Sequence, residues 1–140
     1  MKNDKPTLMK LNHTGLNIQS EEEVIDFYQN MLGFHFEYQF DLSAELAKDI
    51  FGLNKSVKAF LCKREDILLE LFVHTGYPDK GFSHICLEVK DRESIIAKCK
   101  DNGYQVIRIE RTDRPDILFV KDKGENIFEL KMDNNVKNKV

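Results

Sequence analysis

Few cysteines are present, and their spacing limits what this chain can be. The sequence contains Cys62, Cys86 and Cys99, and no two of them form a C-x-x-C pair. An odd set without that spacing argues against a disulfide framework and against a cysteine zinc site, and it is typical of a reducing compartment. We therefore expect a cytoplasmic protein that folds without a cross-link.

The chain also lacks a long apolar run and an excess of one charge. Its apolar runs, such as IDF, ILL and ILFV, are far too short to span a bilayer, and its first ten residues lack the apolar core of a secretory signal. The 21 basic and 24 acidic residues are interspersed and give a net charge of -3. Without a basic stripe, we expect neither nucleic acid nor a membrane as a partner.

What the sequence does contain is one pattern written twice. The first copy opens with LNHTGLNI, runs through a helical stretch to LGF and later reaches ILLELF; the second opens with SHICLEV, runs through a helix to NGY and later reaches NIFELK. Aligning the copies places His13 over His84 and Glu70 over Glu129. Internal repetition is informative because a module that cannot close its own core usually pairs with a copy of itself. Each copy thus supplies one histidine and one glutamate that could bind a metal.

Each copy is predicted to form a strand, a helix and three further strands, which gives an α+β fold. The 140 residues are enough for one domain with a shared core. Residues 8–74 form the first predicted module and residues 83–132 the second. The linker between them, residues 75–82, contains two glycines and a proline.

Two patterns in the first module predict helices. Ser20 is followed by three glutamates, which is typical of a helix N-terminus with a hydroxyl cap and then solvated carboxylates near the positive end of the dipole. That helix is expected to stop at Gly33, with Phe27 and Tyr28 in the core. The segment SAELAKDIFG predicts a short additional helix, an insertion that the second copy lacks.

The candidate ligands also have ordinary interpretations. A lone histidine in a strand is usually a surface residue or a hydrogen-bonded core residue, although alternation in LNHTGLNI puts His13 on the polar face. Glu70 lies in the apolar run ILLELFV, where an unpaired buried carboxylate would cost several kcal/mol. Glu129 in IFEL follows the same logic, and either glutamate could instead face outward from an edge strand. The matched placement in two copies favours metal ligands.

Five short motifs, taken in order, resemble the vicinal oxygen chelate superfamily. They are H-x-G-L-x-I, F-Y-x-x-x-L-G-F, L-E-L-F, S-H-I-C-L-E-V and G-E-N-I-F-E-L, and they span about residue 8 to residue 132. This superfamily includes glyoxalase I, methylmalonyl-CoA epimerase, extradiol dioxygenases and the fosfomycin- and bleomycin-resistance proteins. The resemblance implies two βαβββ modules whose eight strands form an incomplete barrel around a metal. Its implied ligands are His13, Glu70, His84 and Glu129.

This ligand set is chemically suited to an open metal site. Two neutral imidazoles and two carboxylates neutralise one divalent ion and leave two octahedral positions for water or for adjacent substrate oxygens. Such ligands discriminate poorly among zinc, nickel, cobalt, manganese and iron. A polarised carbonyl makes the neighbouring C–H acidic, because the metal stabilises the enediolate that forms. In members resembling glyoxalase I the base is a ligand glutamate, which indicates Glu129 or Glu70 as the catalytic residue.

Within the superfamily the second ligand discriminates best. Glutamate at that position resembles glyoxalase I, whereas the epimerases usually show glutamine and the dioxygenases use two histidines and one glutamate. Glu70 therefore favours a glyoxalase-type lyase or isomerase that acts on a small molecule with adjacent oxygens. We also expect a homodimer, because a half-open arrangement of eight strands has exposed edges that are usually covered and because the family that the chain resembles is dimeric. The alternatives are an Fe(II) extradiol-type dioxygenase and a non-catalytic drug-binding protein of the bleomycin-resistance type.

Three features bear on the substrate. Tyr38 lies near the position where bacterial glyoxalase I tends to place a basic residue, which argues against glutathione as co-substrate. The inserted segment SAELAKDIFG is expected to reshape the pocket mouth. His74 is on the same face of its strand as Glu70 and could line the pocket. Because it borders the linker, we expect it to be exposed instead.

Overall fold

The computed structural model describes residues 11–76 and 82–133. Within those ranges the chain forms eight strands, two α-helices and one π-helix. The strands of the first half are β1 (Thr14–Ile18), β2 (His35–Leu42), β3 (Val57–Arg64) and β4 (Ile67–Val73). Those of the second half are β5 (Ile85–Val89), β6 (Gln105–Ile109), β7 (Ile117–Lys121) and β8 (Ile127–Met132).

The strands form two four-stranded sheets with the same internal order. The first sheet runs β1-β4-β3-β2 and the second β5-β8-β7-β6. In each sheet the first strand is parallel to the last strand of its module, and the remaining pairs are antiparallel. The predicted α+β fold of two βαβββ modules is confirmed, and the two sheets are not closed into a barrel. Residues 77–81 of the predicted linker lie outside the described residues.

Both α-helices begin at a capping side chain. The inserted helix α1 (Ala44–Phe51) starts after Ser43, whose hydroxyl accepts a hydrogen bond from the Leu46 amide at 3.2 Å. It ends at Gly52, where φ is +73°, a left-handed conformation that favours glycine. Helix α2 (Arg92–Asp101) starts after Asp91, whose carboxylate accepts a hydrogen bond from the Ser94 amide at 3.1 Å. No helix within the described part of the chain is long and apolar enough to cross a membrane.

The first helix departs from its prediction. It is a π-helix, Val24–Gln29, with no side-chain cap, so the predicted hydroxyl cap at Ser20 was wrong. The Ser20 backbone carbonyl instead accepts from the Glu23 amide at 3.2 Å, which satisfies that amide without the hydroxyl. Glu23 is also 3% exposed and not solvated as its charged neighbourhood suggested. Its carboxylate turns inward and accepts hydrogen bonds from the Tyr104 hydroxyl and the Lys123 amide.

Aromatic side chains of the π-helix join the two modules in one core. Phe27 and Tyr28 are fully buried, and both pack on Phe128 of the second sheet with ring centroids 5.9 Å apart. Phe27 also lies 4.8 Å from the Tyr104 ring. The buried cluster therefore includes residues of both sheets.

A buried polar network crosses the same junction. The Tyr28 hydroxyl donates to the Asp122 carboxylate at 2.7 Å, and the Asn126 side-chain amide donates to the Asn17 carbonyl at 2.6 Å. Asp122 also accepts from the Gly124 and Asn126 amides, so this carboxylate is well satisfied although only 3% exposed. Burial, then the Asp122 charge, raises the pKa of Tyr28 and keeps it a hydrogen-bond donor.

Candidate metal centre

The first histidine and glutamate are brought together by parallel strand pairing. Glu70 on β4 lies opposite Gly15 on β1, and His13 comes just before β1 on the same face. His13 Nε2 is 3.4 Å from Glu70 Oε1, and both side chains are partly accessible. We refer to His13 and Glu70 as the first pair.

The second histidine and glutamate repeat this geometry. Glu129 on β8 lies opposite Cys86 on β5, and His84 comes just before β5. His84 Nε2 is 3.5 Å from Glu129 Oε1. We refer to His84 and Glu129 as the second pair.

Each imidazole is oriented by a hydrogen bond on its other nitrogen. His84 Nδ1 lies 2.9 Å from the Phe82 carbonyl oxygen, and His13 Nδ1 lies 2.8 Å from the Asn12 side-chain oxygen. Because those oxygens can only accept, Nδ1 carries a proton, and in the neutral form of the ring the lone pair of Nε2 is directed toward the glutamate. An imidazole lone pair and a carboxylate oxygen that approach the same point suit a shared cation, and such outer hydrogen bonds are typical of metal-binding histidines.

The two pairs do not meet within one chain. Among residues 11–76 and 82–133, no group of three or more histidine, cysteine, aspartate and glutamate side chains is close enough to hold a metal. A cleft of about 430 Å³ lies between β1 and the starts of β5 and β8, and its lining includes Gly15, Asn17, His84 and Asn126. Convergence of all four side chains on one ion stays a prediction, and each pair by itself fits half of such a site.

Cys86 lies on the same face as the second pair. Although Cys86 is exposed, partial desolvation and then the neighbouring Glu129 charge raise the pKa of its thiol.

Sequence patterns did not single out the residues that surround the first pair. Asn12, which orients His13, is adjacent in sequence, and an amide beside a candidate ligand could have been noticed. A small pocket beneath α1, by contrast, is lined by segments far apart in the chain, including Asn17, Phe51 and Phe72. No local periodicity predicts that combination.

Comparisons with known proteins agree with this architecture. The family model described as the Glyoxalase/Bleomycin resistance protein/Dioxygenase superfamily matches residues 10–130. No curated protein sequence gives a match.

Solved structures with the same fold are distant in sequence. A glyoxalase family protein from Bacillus cereus superposes with a TM-score of 0.69 at 14% identity over 92% of this chain and 97% of its own. A variant of the fosfomycin resistance protein FosX from Listeria monocytogenes, complexed with Mn(II) and dihydroxypropylphosphonic acid, gives 0.70 at 14% identity over 96% and 100%. The trypanothione-dependent glyoxalase I of Leishmania major gives 0.69 at 18% identity over 94% and 92%.

Proposed function

The chain belongs to the glyoxalase/bleomycin resistance protein/dioxygenase superfamily, and from this premise we propose that it is a divalent-metal-dependent lyase or isomerase of the glyoxalase type. Its substrate is a small molecule with two adjacent oxygens. The observation that carries the proposal is the repeated pair, in which an imidazole nitrogen lies 3.4 or 3.5 Å from a carboxylate oxygen at matched positions of the two modules. The relatives that bind metals add support at the level of the superfamily.

The complete site is formed in a homodimer, where the first pair of one protomer meets the second pair of its partner. Both pairs are partly accessible, as a site completed by another chain requires. Leu11 and Phe82, two residues before the two histidines, are 82% and 99% exposed. Apolar side chains at matched positions beside both pairs are typical of a surface that another protomer covers. The edge strands of the two sheets give a second reason, since open edges are usually covered.

Each residue of the site has a distinct role in this proposal. The chemistry that a divalent ion supplies at such a site is polarisation of a substrate oxygen, which makes the neighbouring C–H acidic. His13 and His84 hold neutral nitrogen donors in place through their Nδ1 hydrogen bonds. Glu129 takes the proton from the substrate carbon and returns it, and Glu70 is the second candidate for that role.

Subunit complementation tests the shared site. One double variant removes the first pair (His13→Ala with Glu70→Ala) and another removes the second pair (His84→Ala with Glu129→Ala). Neither homodimer has an intact site, so both should lack metal. The two chains carry different tags, and the mixed dimer is isolated through both. It has one intact site of two, so we expect about half of the wild-type content of nickel, cobalt, manganese or zinc by elemental analysis.

The results separate the competing functions. A mixed dimer without metal, or a chain that sediments as a monomer at micromolar concentration, contradicts the shared site. Solvent deuterium incorporation into a hemithioacetal, a hydroxyacyl thioester or a 2-substituted acyl-CoA by the metal-loaded wild type supports the lyase or isomerase. Oxygen consumption with a catechol and ferrous iron, without such exchange, favours the dioxygenase. Wild-type protein that binds no divalent metal favours a binding protein.

A further inference from the structure

Helix α1 covers part of the open face of the first sheet and encloses a small pocket beside the first pair. The Phe51 ring lies 5.9 Å from the Phe72 ring of β4, so the C-terminal end of the helix contacts the sheet. A pocket of about 70 Å³ remains between them. We call it the α1 pocket, and its lining consists of Asn17, Leu42, Ala47, Phe51, Leu53, Lys55, Val57, Phe72 and His74.

The α1 pocket begins one step along the sheet from the first pair. Glu70 lies opposite Gly15, and the next pair on the same face is Phe72 opposite Asn17, both of which line the pocket. Two residues along a strand span about 7 Å. A molecule whose oxygens lie at His13 and Glu70 can therefore place a substituent in the pocket without leaving the face of the sheet.

The pocket is apolar and narrow. Six of its nine lining residues are apolar, and its volume is about half of the roughly 150 Å³ cavity that admits a benzene ring. We expect this space to take a flexible alkyl chain more readily than a phenyl group. His74, expected to be exposed, instead buries its Nδ1, which has no hydrogen-bond partner among the described residues.

We propose that the α1 pocket binds the alkyl chain of the substrate, which makes the substrate class an aliphatic compound with two adjacent oxygens and a chain of medium length. This inference rests on the proposed function, since the adjacent oxygens must lie at the first pair. The second module has no counterpart of α1, so the pocket belongs to one side of the site. Phe51 and Leu53 are the residues that set the accepted chain length.

A series of alkyl hydroxamates tests the pocket through binding alone. These probes carry two adjacent oxygens and differ only in chain length from acetohydroxamate through butyro- and hexano- to octanohydroxamate. With manganese-loaded wild-type protein, calorimetry should show affinity rising about fourfold per methylene that enters the pocket and then levelling off. A probe with a phenyl-tipped chain of similar length should lose that gain.

Two neighbouring residues of α1 provide matched variants. Phe51 lines the pocket and is 55% exposed, whereas Ile50 is 62% exposed and does not line it. Phe51→Ala should flatten the dependence on chain length and admit the phenyl-tipped probe, and Leu53→Ala should act in the same direction. Ile50→Ala should keep the wild-type dependence. Acetohydroxamate should bind all variants with unchanged affinity.

The outcomes distinguish a failure of the pocket proposal from a failure of the proposed function. If acetohydroxamate binds but affinity is independent of chain length in the wild type, the pocket proposal is overturned and the proposed function stands. An equal effect of Ile50→Ala and Phe51→Ala also overturns it, because the pocket wall would then be irrelevant. If no hydroxamate binds the metal-loaded protein, both the pocket and the proposed function are overturned.

Discussion

The two modules share their ligand pair and differ in what lies over it. Both sheets have the same strand order, and Glu70 and Glu129 occupy the same register position beside parallel strands. The nitrogen-to-oxygen distances are 3.4 and 3.5 Å. Yet α1 covers the face beside the first pair, and no described helix covers the corresponding face of the second. The candidate metal-binding pair is therefore duplicated, whereas helix α1, which covers the proposed substrate pocket, occurs in the first module alone.

The helices differ as well, and this difference determines how the modules are joined. The helix of the first module is a π-helix whose Phe27 and Tyr28 reach the second sheet. The helix of the second module is a regular α-helix, and Lys98, which stands five residues before Gly103 as Tyr28 stands before Gly33, is exposed. A π-helix shifts side chains relative to an α-helix of the same length. Phe27 and Tyr28 of the first module therefore pack against the second sheet, whereas the residue that matches Tyr28 in the second module faces solvent.

The largest expected effect is a difference in catalytic role between the two glutamates, Glu129 and Glu70. Glu129→Gln keeps the size and one coordinating oxygen but removes the basic charge, so turnover should fall by about 100- to 10,000-fold, the range for loss of a general base. Glu70→Gln should cost less, because Glu129 is the preferred base in the proposed mechanism and Glu70 is the second candidate. Solvent deuterium exchange measures the rate, and elemental analysis checks that both variants keep metal. Equal losses of turnover in the two variants would contradict the assignment of Glu129 as the base.

Motifs repeated within the sequence account for most of the architecture and for the two pairs. The α1 boundaries follow from Ser43 and Gly52, whose capping roles depend on neighbouring residues only. The burial of Glu23 could not be predicted, because its partners Tyr104 and Lys123 lie far away in sequence. The separation of the two pairs within one chain could not be predicted either, because it depends on how the two sheets are placed relative to each other and not on the pattern of any strand.

A smaller effect concerns the hydrogen bond between Tyr28 and Asp122, which joins the two modules. Tyr28→Phe removes the hydroxyl that donates to Asp122 and leaves this buried carboxylate with fewer donors. We expect the free energy of unfolding to fall by about 1–3 kcal/mol. Lys98→Ala, at the corresponding and exposed position of the second module, should change it by no more than about 0.5 kcal/mol. Urea unfolding measures both, and an equal loss in the two variants would contradict the asymmetry of the helices.

The smallest effect is a pH dependence of stability that arises from Glu23, which lies at the same junction between the modules. Burial is the main cause that raises the pKa of Glu23, and the nearby Asp122 charge adds to it, against the hydrogen bonds from Lys123 and Tyr104. A carboxyl whose pKa is raised on folding contributes stability at low pH, and that contribution is lost as the pH rises from about 4.5 through the raised pKa. Glu23→Gln cannot ionise, yet its side-chain oxygen can still accept from the Lys123 amide. The melting temperature of the wild type relative to Glu23→Gln should therefore decline from pH 4 to pH 7, whereas Glu22→Gln, at an exposed neighbour, should follow the wild type. A difference between wild type and Glu23→Gln that stays constant with pH would mean that Glu23 titrates alike in the folded and unfolded chains, and that its burial at the junction has no electrostatic cost.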